Sequence, residues 1–194
     1  DGDIRFMGKS IKNINREEHH AYQREVQVVF QDPYAVYNPF YRVRHIFDMV
    51  IKNFKMAKSK EAARALVEDA LNVVGMRGEE VLEKYPHQLS GGMKQRATMA
   101  IAVALRPRVI IADEPTSALD PAATRHVEET MLKLRQELGL TLLWVTHLPE
   151  QAQRLVVEDG HTHGNQPEQA QQVDPVEPAD AGVPDKIGFE LGHD

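Results

Sequence analysis

Cysteine is absent from all 194 residues. That excludes disulfides, thiolate catalysis and thiolate metal ligation, and it fits a reducing compartment. Long apolar runs are absent too. No uninterrupted stretch approaches the ~20 residues needed to cross a bilayer, and the N-terminus has no charged-then-apolar leader pattern. Any membrane association is therefore expected through a partner. An excess of positive charge is the third absence. The formal net charge is −6, and residues 165–194, with seven acids and one lysine, account for all of it. The neutral body argues against a nucleic-acid-binding surface. Residues 165–194 are rich in Pro, Gln and Asp and poor in aromatics, a composition expected to stay disordered. What remains, with 42% hydrophobic and 27% charged residues over the chain, is an ordinary globular composition sized for one good domain or two small ones.

Within that body, EVQVVF at 25–30 reads as a strand ending at Gln31. The following QDPYAVYNPFYRV holds two prolines and the rings of Tyr34, Tyr37, Phe40 and Tyr41, and reads as a loop that exposes them. From Ser59, a fitting N-cap, Ala63, Leu66, Val67, Ala70, Leu71 and Val74 recur at helical spacing. A second helix is predicted from Gly92, with Met93, Ala97, Ala100, Val103 and Ala104 on one side. RVIIADEP and LTLLWVTH are apolar runs with abrupt polar ends, as strands buried on both faces of a parallel sheet require. Between them Asp120 caps, Pro121 opens and Gly139 closes an amphipathic helix with the stripe Val127, Met131, Leu134 and Leu138. This strand–helix–strand pattern predicts a right-handed βαβ unit and an α/β fold, with residues 31–105 mostly helical.

Parallel α/β sheets collect reactive groups just past the carboxyl ends of their strands. Three runs end that way here: at Gln31, at Asp113–Glu114 and at His147. If they share one sheet, an amide, two carboxylates and an imidazole meet on one rim. A carboxylate at Asp113 suits Mg²⁺, Glu114 suits polarising a water, and His147 suits holding a terminal phosphate oxygen. In LSGGMKQR, residues 89–96, Ser90, Gly91 and Gly92 precede a helix whose first amides are free. Backbone and hydroxyl there form an anion site of the kind phosphate prefers. Gly8-Lys9-Ser10 imitates the end of a phosphate-binding loop, but the first glycine of G-x-x-x-x-G-K-S/T falls on Asp3. Too few residues precede it for the required strand, so a surface turn is expected. His19-His20, and His161 with His163, lack flanking ligands at finger spacing and are not expected to hold a metal.

In chain order, FQDP at 30–33, LSGGMKQR, IIADEPTSALD and VTH at 145–147 resemble the Q-loop, signature, Walker B with D-loop, and switch histidine of ATP-binding-cassette ATPases. The resemblance implies a P-loop NTPase (RecA-like) core with an inserted α-helical subdomain. Residues 1–31 would be a partial core, 32–105 the helical subdomain with the signature, 106–160 the rest of the core, and 161–194 an acidic tail. It implies ATP and Mg²⁺ as cofactors. Gln31 would touch Mg²⁺ and the attacking water, Asp113 would hold Mg²⁺, Glu114 would be the general base and His147 would contact the γ-phosphate. Ser90, Gly91, Gly92, Gln95 and Asp120 would serve the nucleotide held by a second ATPase subunit. Transmembrane permease subunits would be the other partners and would place the chain on the cytoplasmic face of the membrane. Tyr34, Tyr37, Phe40 and Tyr41 are candidates for that contact or for packing inside the subdomain.

The short span from Gln31 to Ser90 favours transporter-type cassettes over DNA-repair members, which separate these motifs by coiled coils. FQDP-x-x-x-x-NP and KYPHQLSGGMKQR look like importers of peptides or nickel, whereas residues 119–155 look like a different transporter group. DGDIRFMGKS matches the strand-and-turn that follows Walker A in the family. Walker A and the adenine-stacking aromatic are therefore expected to be missing through an N-terminal truncation, leaving exposed sheet edges beside Walker B and weak ATP binding by the chain alone. Leu148 stands where the family usually has Asp, and the segment after Leu155 is short for the family's closing strands. Two other readings stay open: a degenerate cassette lending its signature to an intact partner, and a non-transport cassette working, for example, on ribosomes.

Overall fold

The computed structural model describes residues 2–32 and 37–157, with only the backbone of Val156 and Val157. Tyr34, His161, His163 and the acidic tail lie outside the described residues. Residues 1–22 belong to one compact unit and residues 23–155 form another.

In the first, β1 (Arg5–Phe6) and β2 (Lys9–Ser10) pair antiparallel, with Phe6 opposite Lys9. Met7 and Gly8 between them have φ of 50° and 79°, the double positive φ that a two-residue hairpin loop demands. Gly8-Lys9-Ser10 is thus a hairpin turn running into a strand, as its register predicted. A 3-10 turn, Ile11–Asn13, follows, and then α1 (Arg16–Glu25). A reciprocal capping pair opens α1: Glu18 N–H donates to Asn15 Oδ1 and Asn15 N–H donates to Glu18 Oε2, both at 2.9 Å. Lys9 is ion-paired to Glu18.

The second unit is built on a parallel sheet of β3 (Val26–Val29), β4 (Val109–Asp113) and β5 (Thr141–Val145), in the order β3–β4–β5. Parallel pairing needs long crossovers, and both are helical. Between β3 and β4 run α2 (Val43–Asn53), α3 (Lys60–Val73), α4 (Gly78–Val81) and α5 (Gly91–Ala104). Ser59 Oγ accepts from Ala62 N–H at 3.1 Å to start α3, and Ser90 Oγ accepts from Met93 N–H at 3.3 Å to start α5. Between β4 and β5 lies α6 (Pro121–Leu138), capped by Asp120 Oδ1 on the amides of Ala122 and Ala123 at 2.9 and 3.0 Å. Gly139 closes α6 with φ 61°, where a side chain would meet its own backbone. α7 (Pro149–Val157) follows β5.

Val29, Ile110 and Ala112 are fully buried on one face of the sheet, in a core shared with Ala97 and Ala100 of α5 and Val127, Met131 and Leu134 of α6. On the other face Val28, Leu143 and Val145 are exposed. β4 is therefore covered as its apolar run predicts, but β5 is only half-buried. It ends the three-stranded order and has a strand on one side only. The same order corrects the expectation of exposed edges beside Walker B: β4 lies in the middle, and the edges belong to β3 and β5. Leu138, expected in the α6 stripe, is exposed because it is the last residue of the helix, past the core. Tyr37 is also corrected. It is buried, with Oη 3.2 Å from Thr98 Oγ1 and 3.4 Å from Lys94 O, whereas Phe40 and Tyr41 are exposed. One cluster joins Val29, Tyr37, Phe47, Leu71 and Ile110, so the core is continuous through residues 31–32 and 105–106.

Candidate functional site

Parallel register levels the carboxyl ends of the three strands: Val29, Ala112 and Trp144 share a row, and Asp113 faces Val145. Gln31 lies just past β3, Asp113 closes β4 with Glu114 next to it, and His147 lies just past β5. All four stand on one rim. Nδ1 of His147 lies 2.8 Å from Glu114 Oε1, and Glu114 N–H donates to Val145 O at 2.9 Å. A carboxylate only accepts, so in this contact the proton belongs to Nδ1. Glu114 has φ 44°, a left-handed conformation that costs a non-glycine residue about 1–2 kcal/mol. The kink takes Glu114 out of the strand's alternation, which would otherwise send neighbouring carboxylates to opposite faces. Ser117 holds the turn through its N–H and hydroxyl, at 3.2 and 3.1 Å from Glu114 O.

A second patch forms where α5 and α6 begin. Ser90, Gly91 and Gly92, together with Leu119, Asp120 and Ala123, line a groove of about 590 Å³. The chain is tightly packed here: a Cβ on Gly91 would lie 3.1 Å from Leu119 Cδ2 in the turn before α6, and one on Gly92 would lie 3.2 Å from Ala123 Cβ on α6. The α6 amides of Ala122 and Ala123 are taken by the Asp120 carboxylate, so the anion-favouring end in this groove is the start of α5. The Ala123 N–H, with that of Ala122, holds the Asp120 carboxyl below the usual range. Arg96 and His126 also line the groove, with Nη1 and Nε2 3.2 Å apart, and burial lowers the pKa of the Arg96 guanidinium.

The structure thus gathers Gln31, Asp113, Glu114 and His147 on the rim, and Ser90, Gly91, Gly92 and Asp120 in the groove. The turn after Glu114 connects the two patches. Gln95 is in neither. It is fully buried, and its Nε2 donates to Phe30 O at 3.2 Å. It ties α5 to the residue before Gln31 and, fully buried, presents nothing to a ligand outside. Leu148 is exposed, with its N–H on Thr146 Oγ1 at 3.1 Å. Sequence reasoning passed over Gln151, a buried amide on α7; the one signal for it was a glutamine in a short helix just after His147.

A larger cavity, about 880 Å³, lies between α2 and α3, with apolar side chains such as Phe47, Ile51 and Val67 in its wall and Asp48 among basic residues such as Lys52 and Arg64. No rim or groove residue lines it. Among the described residues no cluster of three or more His, Cys, Asp or Glu side chains could hold a metal, and no helix is long and apolar enough to cross a membrane.

This is the P-loop NTPase fold of ABC ATPase cassettes. The dimeric, post-hydrolysis structure of the ATP-binding cassette MJ0796, bound to ADP and Pi, matches with a TM-score of 0.61 at 27% identity, covering 76% of this chain and 63% of that one. The ABC transporter family profile matches residues 1–117, and the chain belongs to that family. It is 39% identical over 146 residues to the oligopeptide transport ATP-binding protein OppF of Streptococcus mutans, covering 75% of this chain and 47% of that protein. It is 36% identical over 146 residues to the dipeptide transport ATP-binding protein DppF of Lactococcus lactis, covering 75% and 46%. The chain spans about half the length of the curated relatives it matches.

Proposed function

We propose that the chain is the ATP-binding subunit of a peptide-type ABC transporter, coupling ATP hydrolysis in a two-subunit nucleotide sandwich to transport. The β3–β4–β5 register carries this reading, because it levels Gln31, Asp113, Glu114 and His147 on one rim. The signature residues occupy a separate groove. Two patches on one chain suit a composite site in which one subunit's rim and another's groove enclose one nucleotide. The peptide class follows from the names of OppF and DppF.

The rim fits Mg²⁺. Asp113 and Gln31 are exposed hard-oxygen donors, and this ion takes one or two protein groups beside water and phosphate. They would hold it, and when bound it would neutralise charge on the phosphate oxygens. Glu114 orients the attacking water and takes its proton as the water oxygen bonds the γ-phosphorus. The bond to the β–γ bridging oxygen breaks and ADP leaves with that electron pair. His147 has Nδ1 committed to Glu114, so Nε2 serves the γ-phosphate and donates to it only as the imidazolium. Ser90 and the first amides of α5 meet the γ-phosphate held by the second subunit, and Asp120 faces that subunit. Exposed Phe40 and Tyr41 supply the contact with transmembrane subunits at the cytoplasmic face.

Gly8-Lys9-Ser10 forms a hairpin and supplies no phosphate cradle. Complementation tests the proposal. A peptide-transport cassette whose own signature serine is changed to arginine keeps its phosphate loop but forms inactive homodimers. Adding this chain should restore ATP hydrolysis, and adding its Ser90→Arg variant should not. No restoration by the unaltered chain overturns the proposal.

A further inference from the structure

Gln151 is 2% exposed and belongs to neither the rim nor the groove. A buried primary amide must find partners for its carbonyl and its N–H groups or lose their hydration uncompensated. Gln151 finds three. Its Oε1 accepts from Thr146 Oγ1 at 2.6 Å, and its Nε2 donates to Thr116 Oγ1 at 2.8 Å and to Glu128 Oε1 at 2.6 Å. Glu128 is buried as well, and Arg154 Nη2 donates to it at 2.9 Å. The partners come from three places. Thr146 immediately precedes His147, Thr116 lies two residues after Glu114, and Glu128 is on α6. One amide therefore bridges the turn after β4 to the turn after β5.

Thr146 is the link to His147. Its hydroxyl proton goes to Gln151 Oε1, which leaves its lone pairs to accept Leu148 N–H at 3.1 Å. The turn that carries His147 is closed by that hydroxyl, and Gln151 sets the hydroxyl's direction. Thr116 secures the other turn, where its carbonyl accepts Leu119 N–H at 3.1 Å. Glu114, two residues earlier, is left-handed, and such a residue persists only where its surroundings over-determine it. The His147 side chain is 62% exposed, so water competes for its contact with Glu114. The bonds of the buried Gln151 amide meet no such competition.

We propose that Gln151 is a positioning residue that holds these two turns in the register bringing His147 Nδ1 onto Glu114. The inference rests on the proposed function only for what the imidazole and carboxylate go on to do.

The proton on Nδ1 is the readout. An exposed neutral imidazole favours the proton on Nε2, whereas the Glu114 contact places it on Nδ1, and long-range ¹H–¹⁵N spectra separate the two. The His147→Asn variant identifies the His147 signal among nine histidines. In the unaltered chain, without nucleotide and near neutral pH, Nδ1–H should dominate at His147. Gln151→Met, close in size but without the amide, should reduce that population several-fold. Thr146→Val spares the bonds of Gln151 to Thr116 and Glu128 and should have the same effect. Glu128→Gln combined with Gln151→Glu exchanges donor and acceptor across the bridge and should restore the signal. The proposal is overturned if either single variant keeps the full Nδ1–H population with unchanged circular dichroism, or if the unaltered chain lacks Nδ1–H at His147. Should Gln151→Met fail to fold, Thr146→Val decides alone. No nucleotide is present, so a negative result leaves the ATPase reading standing, and failed complementation leaves this one standing.

Discussion

Gly92 and Ala123 set the spacing between the starts of α5 and α6: a methyl group on Gly92 would lie 3.2 Å from Ala123 Cβ. Both atoms would be fixed to helix backbone, so relief requires the helices to part. At Gly91 the close neighbour is instead the terminal methyl of Leu119, at 3.1 Å, which a rotamer change can withdraw. Gly92→Ala should destabilise the chain by about 1–2 kcal/mol, the usual range for overpacking, whereas Gly91→Ala should stay within about 0.5 kcal/mol. Urea denaturation of the two variants checks this. Equal stabilities would show that the groove yields freely.

Glu114 should be tolerated better as glycine than as alanine. Both changes remove the contact with His147, but only glycine accepts φ 44° without strain. Glu114→Gly should exceed Glu114→Ala in stability by about 1 kcal/mol. Thermal or urea unfolding measures the difference.

Burial pushes the Tyr37 hydroxyl above its ordinary pKa, against a smaller opposing effect of the Thr98 hydrogen bond. The unfolded tyrosine loses its proton near pH 10 while the folded one keeps it, so the unfolded state binds fewer protons above that pH. This contribution to stability is full below about pH 10 and declines as pH rises. Tyr37→Phe should cost about 0.5–1.5 kcal/mol at pH 7. Its stability should then fall less than that of the unaltered chain between about pH 9 and 11, as followed by urea titrations.

At Asp120 the sign is reversed. The amide of Ala123 depresses its carboxyl pKa below the unfolded value, so its stabilisation is present above about pH 4 and disappears as pH falls through the depressed value. Asp120→Asn retains an oxygen acceptor for the cap but does not titrate. The stability difference between the chain and this variant should change only below about pH 5. A difference that stays flat down to pH 2 would contradict the assignment.

The two faces of the sheet should respond oppositely to polar or smaller residues. Ile110 is fully buried, and Ile110→Ala should cost about 2–5 kcal/mol. Leu143 is 50% exposed, and Leu143→Thr should change stability by less than about 0.5 kcal/mol. Sedimentation should show less self-association for the latter, because an exposed apolar strand face invites pairing.

Much of this architecture was legible in local signals. Ser59 and Asp120 cap the helices their side chains announced, and Gly139 stops α6 where its missing Cβ allows. The rim was legible because three apolar runs end abruptly at Gln31, Asp113 and His147. What escaped depends on neighbours distant in sequence. The half-burial of β5 follows from strand order, which no single run encodes. Tyr37 sits in a loop-like stretch and Gln95 on a helix as a polar residue, and only the packing around α5 draws them inward. The bridge at Gln151 needs Thr116, Glu128 and Thr146 at once, and none of them has a spacing that points to the others.

The middle position of β4 has a mechanical consequence. Its amides and carbonyls are engaged by strands on both sides, while β3 and β5 each grip the described sheet along one side. Local opening starts where such ties are fewest. Asp113 and Glu114 therefore hang from the slowest-melting strand, and Gln31 and His147 from its looser flanks.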